Sequence, residues 1–192
     1  MVNFMRSFIA LEFEDELKEN LINIQNKVRD NSIKGTWTHK DNFHITLKFL
    51  GEIDENLIIE IDEAVEKIYK NYSPIKLTLS SLGYFKGERD LRVLWIGIKG
   101  ELDKLNALYE EIENGMYSLG FEKENRAFKP HITLGRRVVL NKNFSEIKDI
   151  ISGDLNYDFT LKKITLMKSE EIMKKRVYTP IKTYNFKKID HR

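Results

Sequence analysis

The tetrapeptide His-Ile-Thr-Leu occurs twice in the chain, at residues 44–47 and 131–134. Each copy follows a short apolar segment that begins with arginine, and the spacing is nearly the same. His44 lies 38 positions after Arg6, and His131 lies 39 positions after Arg92. At ordinary residue usage, a given histidine precedes Ile-Thr-Leu about once in several thousand cases. The repeat therefore predicts an internal duplication with two similar halves related by a pseudo-two-fold axis.

The hydrophobic periodicity of both halves predicts strands that alternate with amphipathic helices. Helical spacing is found at about 17–28, 54–72, 101–119 and 144–151, and strand patterns at 6–11, 42–50, 75–79, 81–85, 92–98, 131–136, 157–167 and 177–186. Residues 31–35 are expected to break the first helix, and residues 169–176 to form a polar segment between strands. We therefore expect residues 1–192 to form one bilobal domain, in which two sheet-and-helix lobes face each other.

Both copies of the motif are predicted to lie in strands, where successive side chains point to opposite faces. One face of the first motif strand should then carry His44, Thr46 and Lys48, and the other Phe43, Ile45, Leu47 and Phe49. In the second copy, His131 and Thr133 should lie opposite Ile132 and Leu134. Amphipathic helices can cover the apolar faces, so the two polar faces are expected to meet across a cleft.

Two imidazoles and two hydroxyls around one point suit phosphodiester hydrolysis without a metal. A neutral histidine can take a proton from water and a protonated one can give a proton to the leaving oxygen, each step contributing about 10²- to 10⁴-fold. Thr46 and Thr133 can donate hydrogen bonds to phosphate oxygens, and Lys48 or Arg136 can neutralise the developing charge. Arg136 has the wrong strand parity for this face, so it reaches the cleft only if the strand ends or bulges at Gly135.

The composition restricts the kinds of site that the chain can form. There is no cysteine, which excludes disulfides, thiolate nucleophiles and zinc sites of the cysteine type. With four histidines and no HExxH pattern, we expect no metal and no other cofactor. The net charge of +2 implies no general polyanion-binding surface. Local RNA contacts remain open at three basic clusters: Arg136-Arg137, Lys162-Lys163 and Lys174-Lys175-Arg176.

Aromatic residues near the motifs are candidates for stacking on a nucleobase. The two main candidates are Trp37 and Phe49, and further ones are Tyr84, Phe128 and Tyr178. Trp95 lies in an apolar strand and is expected in the core, whereas His39 and His191 are expected at the surface. The chain has no apolar run long enough for a bilayer and no secretory pattern, so we expect no membrane association and a cytoplasmic location.

The segments HITLKFLGE and FKPHITLGR resemble the paired H-x-T-x motifs of the two-histidine phosphoesterase superfamily. The opening RSFIALEF and the segment from Ser169 to Tyr178 resemble its LigT-like branch of RNA 2',3'-cyclic phosphodiesterases. This resemblance implies an α+β fold with antiparallel sheets and outer helices around a central cleft. It also implies cleavage of the P–O3' bond to leave a 2'-phosphate, with His44 as proton donor, His131 as proton acceptor and Arg136 on the phosphate.

Three functions are compatible with these features. The first is hydrolysis of 2',3'-cyclic phosphates at RNA 3' ends or on nucleotides. The second is the same chemistry on 2'-5' linkages, as a ligase or phosphodiesterase, or on a small cyclic nucleotide. The third is a non-catalytic module that binds RNA or nucleotides. The presence of both histidines and both threonines favours an enzyme, a phosphoric diester hydrolase. A monomer is expected because an internally duplicated cleft needs no second subunit.

Overall fold

The computed structural model describes residues 4–187, which form four α-helices and nine β-strands. The elements up to residue 86 are β1 (Phe4–Glu12), α1 (Asp15–Arg29), β2 (Ser32–Trp37), β3 (His44–Asp54), α2 (Ile58–Tyr69) and β4 (Ile75–Lys86). The remaining elements are β5 (Leu91–Gly100), α3 (Leu102–Ser118), β6 (His131–Leu140), α4 (Phe144–Ile151), β7 (Asp158–Leu161), β8 (Lys163–Ile172) and β9 (Lys175–Asn185). Short 3-10 helices precede β3 and α2 and follow α4.

The strands form two sheets in which every neighbouring pair is antiparallel. The four-stranded sheet has the order β3-β1-β8-β9, and the five-stranded sheet has the order β2-β6-β5-β4-β7. In each sheet, the strand with the His-Ile-Thr-Leu motif pairs with the strand that carries the preceding arginine. Strand β3 pairs with β1, which contains Arg6, and β6 pairs with β5, which contains Arg92. The predicted α+β architecture of two antiparallel sheets with helices is confirmed. The internal duplication stays a prediction, which this matching strand order supports.

The helices cover one face of each sheet and create the core. Helix α1 contacts β2 and β6 of the five-stranded sheet and packs on α4. Helix α2 contacts β9 of the four-stranded sheet, and α3 contacts both sheets, at β3 and at β4. Helix α1 buries the stripe Leu17, Leu21, Ile24 and Val28, with acidic residues in its first turn and basic residues in its last. One apolar cluster extends through both sheets and all four helices. The opposite faces of the sheets are left for the cleft.

Several boundaries predicted from the sequence are wrong. Residues 75–79 and 81–85 belong to one strand, β4, and residues 169–172 and 175–176 belong to β8 and β9, so that only residues 173 and 174 form the turn. Residues 32–37 form strand β2 at the edge of the five-stranded sheet, where a simple helix break was predicted, because they pair with β6. Residues 157–167 were predicted as one strand, but the chain changes sheets at Lys162, so that β7 pairs with β4 and β8 with β1. The last two differences depend on partners distant in sequence. Among residues 4–187, no helix is long and apolar enough to cross a membrane.

Candidate active site

The first motif strand contains a β-bulge directly after Thr46. Thr46 pairs with Ala10 and Lys48 pairs with Ile9, so Leu47 is an additional residue on β3. A bulge shifts the alternation of all side chains that follow it. His44, Thr46 and Phe49 consequently share the face of Ala10 and Phe8, while Lys48 is turned to the helix-covered face with Ile45. The predicted common face of His44, Thr46 and Lys48 is therefore wrong beyond Thr46.

The second motif strand has the same irregularity at the equivalent position. Trp95 pairs with Thr133 and Leu94 pairs with Gly135, so that Leu134 is the additional residue on β6. Since Val93 pairs with Arg136, this arginine lies on the face of His131 and Thr133. Arg136 is exposed on that face. The condition set by strand parity, a bulge next to Gly135, is thus met.

Lys48 is buried in an ion pair on the face of β3 opposite His44, although its side chain also lines part of the cavity between the motif strands. Its Nζ lies 2.8 Å from Oε1 and 3.0 Å from Oε2 of Glu113 on α3, and it donates to the carbonyl oxygen of Glu122 at 2.5 Å. The side chains of Lys48 and Glu113 are 6% and 4% exposed. The predicted phosphate contact by Lys48 is corrected, because its ammonium is already neutralised in the interior by a carboxylate.

The two histidines are held in the same way by the backbone. Nδ1 of His44 lies 2.7 Å from the carbonyl oxygen of Asn42, and Nδ1 of His131 lies 2.7 Å from that of Lys129. A carbonyl oxygen can only accept, so each Nδ1 carries the proton and each Nε2 is free to exchange one. Nε2 of His44 lies 2.9 Å from Oγ1 of Thr46. Both imidazoles are therefore oriented for proton transfer through Nε2.

Aromatic side chains flank each imidazole and partly shield it from water. The ring of His44 lies 5.0 Å from Phe8 and 5.4 Å from Tyr178, and the ring of His131 lies 5.4 Å from Phe85 and 6.1 Å from Trp95. Desolvation is accordingly the main reason why the pKa of His44 falls from the ordinary 6.5 to about 4.

Electrostatic contributions to these pKa values indicate that the two motifs face the same space. The positive charge of Arg136 and that of His131 lower the pKa of His44 further, although less than burial does. Burial lowers the pKa of His131 as well, and Arg136 adds to this effect. A site that disfavours protonated histidines when empty favours them once an anion binds, because the anion compensates the positive charges.

A cavity of about 880 Å³ opens between the two motif strands. Thr46 and Phe49 of β3 line it together with His131 of β6. Leu47, Lys48, Tyr109 and Glu113 also line it, and Phe85, Arg92 and the segment 122–129 complete its wall. Phe49 is 66% exposed, and its ring lies 6.2 Å from that of Phe8. The bulge thus places an exposed aromatic ring beside the first histidine, where alternation had predicted it on the opposite face.

The other aromatic candidates have different positions. Trp37 pairs with Gly135 and packs partly buried on the helix-covered face, so its predicted contact with a base is wrong. Phe128 is stacked on Tyr109 at 4.0 Å, and Tyr84 contacts Phe144. Trp95 was predicted in the core but lies on the face of Thr133 and His131, because it pairs with Thr133 and alternates with the buried residues Leu94 and Ile96 of β5.

Two polar residues that the sequence did not single out support the site. Nε2 of Gln25, a buried residue of α1, donates to the carbonyl oxygens of Thr38 and Leu134, each at 2.8 Å. The carbonyl of Leu134, the bulged residue, also accepts from the backbone N–H of Thr38 at 2.9 Å. The side chain of Asn42 donates to the carbonyl oxygen of Arg176 at 2.8 Å and so connects the first motif to β9. A helical glutamine and a loop asparagine carry no sequence signal for these roles.

The two remaining histidines lie outside the two His-Ile-Thr-Leu motifs, and a metal site was not expected from the sequence. The side chain of His39 is 71% exposed, whereas His191 lies outside the described residues. Within residues 4–187, no group of three or more histidine and carboxylate side chains is arranged to hold a metal ion.

Comparison with known proteins places this chain among phosphoesterases. The family model described as LigT like Phosphoesterase matches residues 11–95 and 96–178. An RNA 2',3'-cyclic phosphodiesterase of Thermotoga maritima is 39% identical over 132 residues, 69% of this chain and 70% of the relative. That of Methanocaldococcus jannaschii is 34% identical over 183 residues, 94% of this chain and 100% of the relative. The crystal structure of Escherichia coli LigT complexed with 3'-AMP has a TM-score of 0.77 at 25% identity, covering 96% of this chain and 99% of LigT. A Thermus thermophilus protein has the same score and identity, covering 95% of this chain and 98% of its own. From the match over most of its length, this chain belongs to the LigT-like phosphoesterase family.

Proposed function

We propose that this protein is an RNA 2',3'-cyclic phosphodiesterase that opens terminal cyclic phosphates to 2'-phosphates. The observation that carries the proposal is the pairing of two identical histidine–threonine units on facing strands, with Thr46 and His131 lining one cavity. Both histidines have Nδ1 fixed by a carbonyl, which leaves Nε2 for the reaction. The names of the Thermotoga and Methanocaldococcus relatives support the same activity.

The reaction assigned to this site is an acid–base displacement at phosphorus. Nε2 of His131 takes a proton from a water molecule whose oxygen attacks the phosphorus atom. The P–O3' bond breaks, and Nε2 of His44 gives its proton to the departing O3', leaving a 3'-hydroxyl and a 2'-phosphate. The hydroxyls of Thr46 and Thr133 and the guanidinium of Arg136 stabilise the charge on the phosphate oxygens. The order of acid and base follows the family resemblance, because the two histidine environments are nearly symmetric.

The negative charge of a bound phosphate would favour the protonated form of His44 that the proposed acid requires. At pH 7 the free His44 is almost entirely neutral, since its pKa is about 4. A phosphodiester anion next to this ring raises that pKa, so substrate binding should be accompanied by proton uptake. We therefore expect KM for the cyclic phosphate to rise with pH from about 4, the pKa of free His44, up to the higher pKa of His44 in the complex, while Arg136 continues to attract the anion.

The surroundings of the site favour an RNA end over a free cyclic nucleotide. The cavity of about 880 Å³ is near the upper end of small-molecule sites, about 300–1,000 Å³, so it has room for more than one nucleotide. Phe49 presents an exposed ring on which the terminal base can stack. We also propose a monomer, because one chain supplies both motifs, and a cytoplasmic location, which cell fractionation would test.

The test is the incubation of purified protein with an oligoribonucleotide that ends in a 2',3'-cyclic phosphate, with and without EDTA. Loss of cyclic ends that EDTA does not affect, with a 2'-phosphate as product, is the expected result. His131→Ala should remove turnover and leave the protein folded. The matched control is His39→Ala, the same change at an exposed histidine, which should retain wild-type turnover.

The alternatives predict other outcomes. Binding of the oligonucleotide without loss of cyclic ends would indicate a non-catalytic module. Turnover that is confined to mononucleotides or to 2'-5' linkages would indicate another substrate for the same chemistry. Loss of turnover in EDTA, or a near-wild-type rate in His131→Ala, would contradict the proposed mechanism.

A further inference from the structure

Strands β8 and β9 form a long hairpin that ends in an unusual two-residue turn. Ile172 pairs with Lys175, and the turn residues Met173 and Lys174 have φ values of 49° and 62°. Turns with positive φ at both positions strongly favour Asn-Gly, since side chains strain this backbone conformation. Here the turn carries a methionine that is 92% exposed and an exposed lysine. The side chains of Met173 and Lys174 therefore do not stabilise the turn conformation.

The end of the hairpin, residues 173–175, carries positive charge that is not neutralised by neighbours. Arg176 lies 3.7 Å from a carboxylate oxygen of Glu171, and Lys168 lies 2.8 Å from one of Glu170. By contrast, no carboxylate of residues 4–187 lies within 4.0 Å of Nζ of Lys174 or Lys175. Two free ammonium groups thus flank one exposed apolar side chain. Since the whole chain has a net charge of only +2, this charge is a local feature.

The base of the same hairpin belongs to the candidate active site. Tyr178 on β9 lies 5.4 Å from the ring of His44. The carbonyl of Arg176 accepts a hydrogen bond from Asn42, whose own carbonyl holds Nδ1 of His44. Met173 lies five residues before Tyr178, which corresponds to roughly 16 Å along a strand at 3.3 Å per residue. A single nucleotide bound at His44 therefore does not reach the end of the hairpin.

We propose that the hairpin end, residues 173–175, binds the RNA chain that precedes the cyclic terminal nucleotide. Lys174 and Lys175 contact backbone phosphates, and Met173 packs against an unstacked base. This proposal rests on the proposed function, and it adds a second contact region that a mononucleotide does not reach. The side chains of the hairpin end therefore determine the preference for RNA over small cyclic nucleotides.

The experiment uses a triple variant, Met173→Asn, Lys174→Gly and Lys175→Gln. Asn-Gly suits the two positive φ values, so the hairpin keeps its shape and the Tm should not fall. The control removes the same two charges elsewhere, with Lys142→Gln and Lys148→Gln at the exposed surface around α4. Rates are measured with 2',3'-cyclic AMP and with a ten-nucleotide RNA that ends in a 2',3'-cyclic phosphate.

The expected result is a selective loss on RNA. The triple variant should retain kcat/KM for 2',3'-cyclic AMP and lose roughly 2- to 30-fold for the RNA, the range expected for two exposed charge contacts. The plot of log kcat/KM against log salt should become shallower by about 1.4 for the RNA, since each lost phosphate contact contributes about 0.7 on a single strand. The control variant should change neither substrate.

Three results would overturn the proposal: an unchanged rate on RNA, an equal loss on both substrates, or an equal loss in the control. If the Tm of the triple variant falls, Lys174→Gln with Lys175→Gln repeats the test without altering Met173. Fluorescence anisotropy with a labelled RNA that ends in a 2'-phosphate measures binding independently of turnover. Absent turnover in the wild type would therefore contradict the proposed function, while weaker RNA binding by the variant still decides the role of the hairpin end.

Discussion

The buried pair of Lys48 and Glu113 allows a direct test of the bulge after Thr46. If the bulge turns Lys48 away from the histidines, this lysine stabilises the fold and does not bind the substrate phosphate. Lys48→Met removes the ammonium and keeps most of the apolar stem. The carboxylate of Glu113 then remains in the interior, with the backbone N–H of Glu124 at 2.9 Å as its remaining hydrogen-bond donor.

The magnitude follows from the burial of both partners. Removing one member of a buried ion pair typically costs about 3–5 kcal/mol, because an uncompensated charge stays in the interior. At roughly 2–4 °C per kcal/mol for a domain of this size, we expect the Tm to fall by about 6–20 °C. Adding Glu113→Gln removes the orphaned charge but keeps an acceptor for Glu124. The double variant should therefore recover most of the lost stability.

The assay combines thermal unfolding with turnover at a temperature where all variants are folded. Lys70→Met is the matched control, because Lys70 forms an exposed pair with Glu66 at 3.0 Å and the loss there should be below about 1 kcal/mol. For folded Lys48→Met we expect a kcat/KM within a few-fold of wild type. Restoration of stability by Glu113→Gln would identify the pair itself as the cause.

A phosphate-binding lysine would produce the opposite result. Losing a charged group that stabilises the transition state costs roughly 10²- to 10³-fold in turnover. Such a loss in Lys48→Met, with an unchanged Tm and no recovery when Glu113 is neutralised, would refute the assignment of Lys48 to the core. It would also contradict the register of β3 from which the position of Phe49 is inferred.

Three further predictions concern other parts of the site. The pKa of His44 is about 4 in the folded protein and about 6.5 in the unfolded chain, so between these pH values only the unfolded chain binds the proton. The free energy of unfolding should therefore be highest above pH 6.5 and fall by about 3 kcal/mol towards pH 4. Urea denaturation should show that this decrease is smaller in His44→Asn, and an equal decrease would contradict the lowered pKa. Gln25→Met removes the side-chain donor from the carbonyl of Thr38, while the carbonyl of Leu134 keeps the N–H of Thr38, so the change should cost about 1–3 kcal/mol of unfolding free energy and lower kcat/KM. Phe49→Ala should weaken binding of a nucleotide product by roughly 5- to 150-fold in calorimetry if the ring stacks on a base, and unchanged binding would exclude stacking.

The sequence predicted the elements of this fold well and the faces of two strands poorly. Periodicity is a local property, so the helices and the strands around His44 and His131 could be located from their own residues. A bulge depends on the register with a partner strand, which for Leu47 is β1 and for Leu134 is β5. Simple alternation therefore assigned Lys48 to the wrong face. For Arg136 it predicted that this side chain reaches the cleft only if the strand bulges at Gly135, a condition that β6 meets.

The equivalent positions of the two bulges give a reason why a nearly symmetric site can act on an asymmetric substrate. Each bulge turns the fifth residue after its histidine into the cleft, and this residue is Phe49 in one half and Arg136 in the other. In the proposed mechanism, the repeated units supply proton transfer and hydroxyl donors on both sides. The fifth residues supply an aromatic surface on one side and a guanidinium on the other. If a base binds the former and the phosphate the latter, only one orientation of the ribose places O3' at His44, so the difference between Phe49 and Arg136 would decide which histidine is the acid.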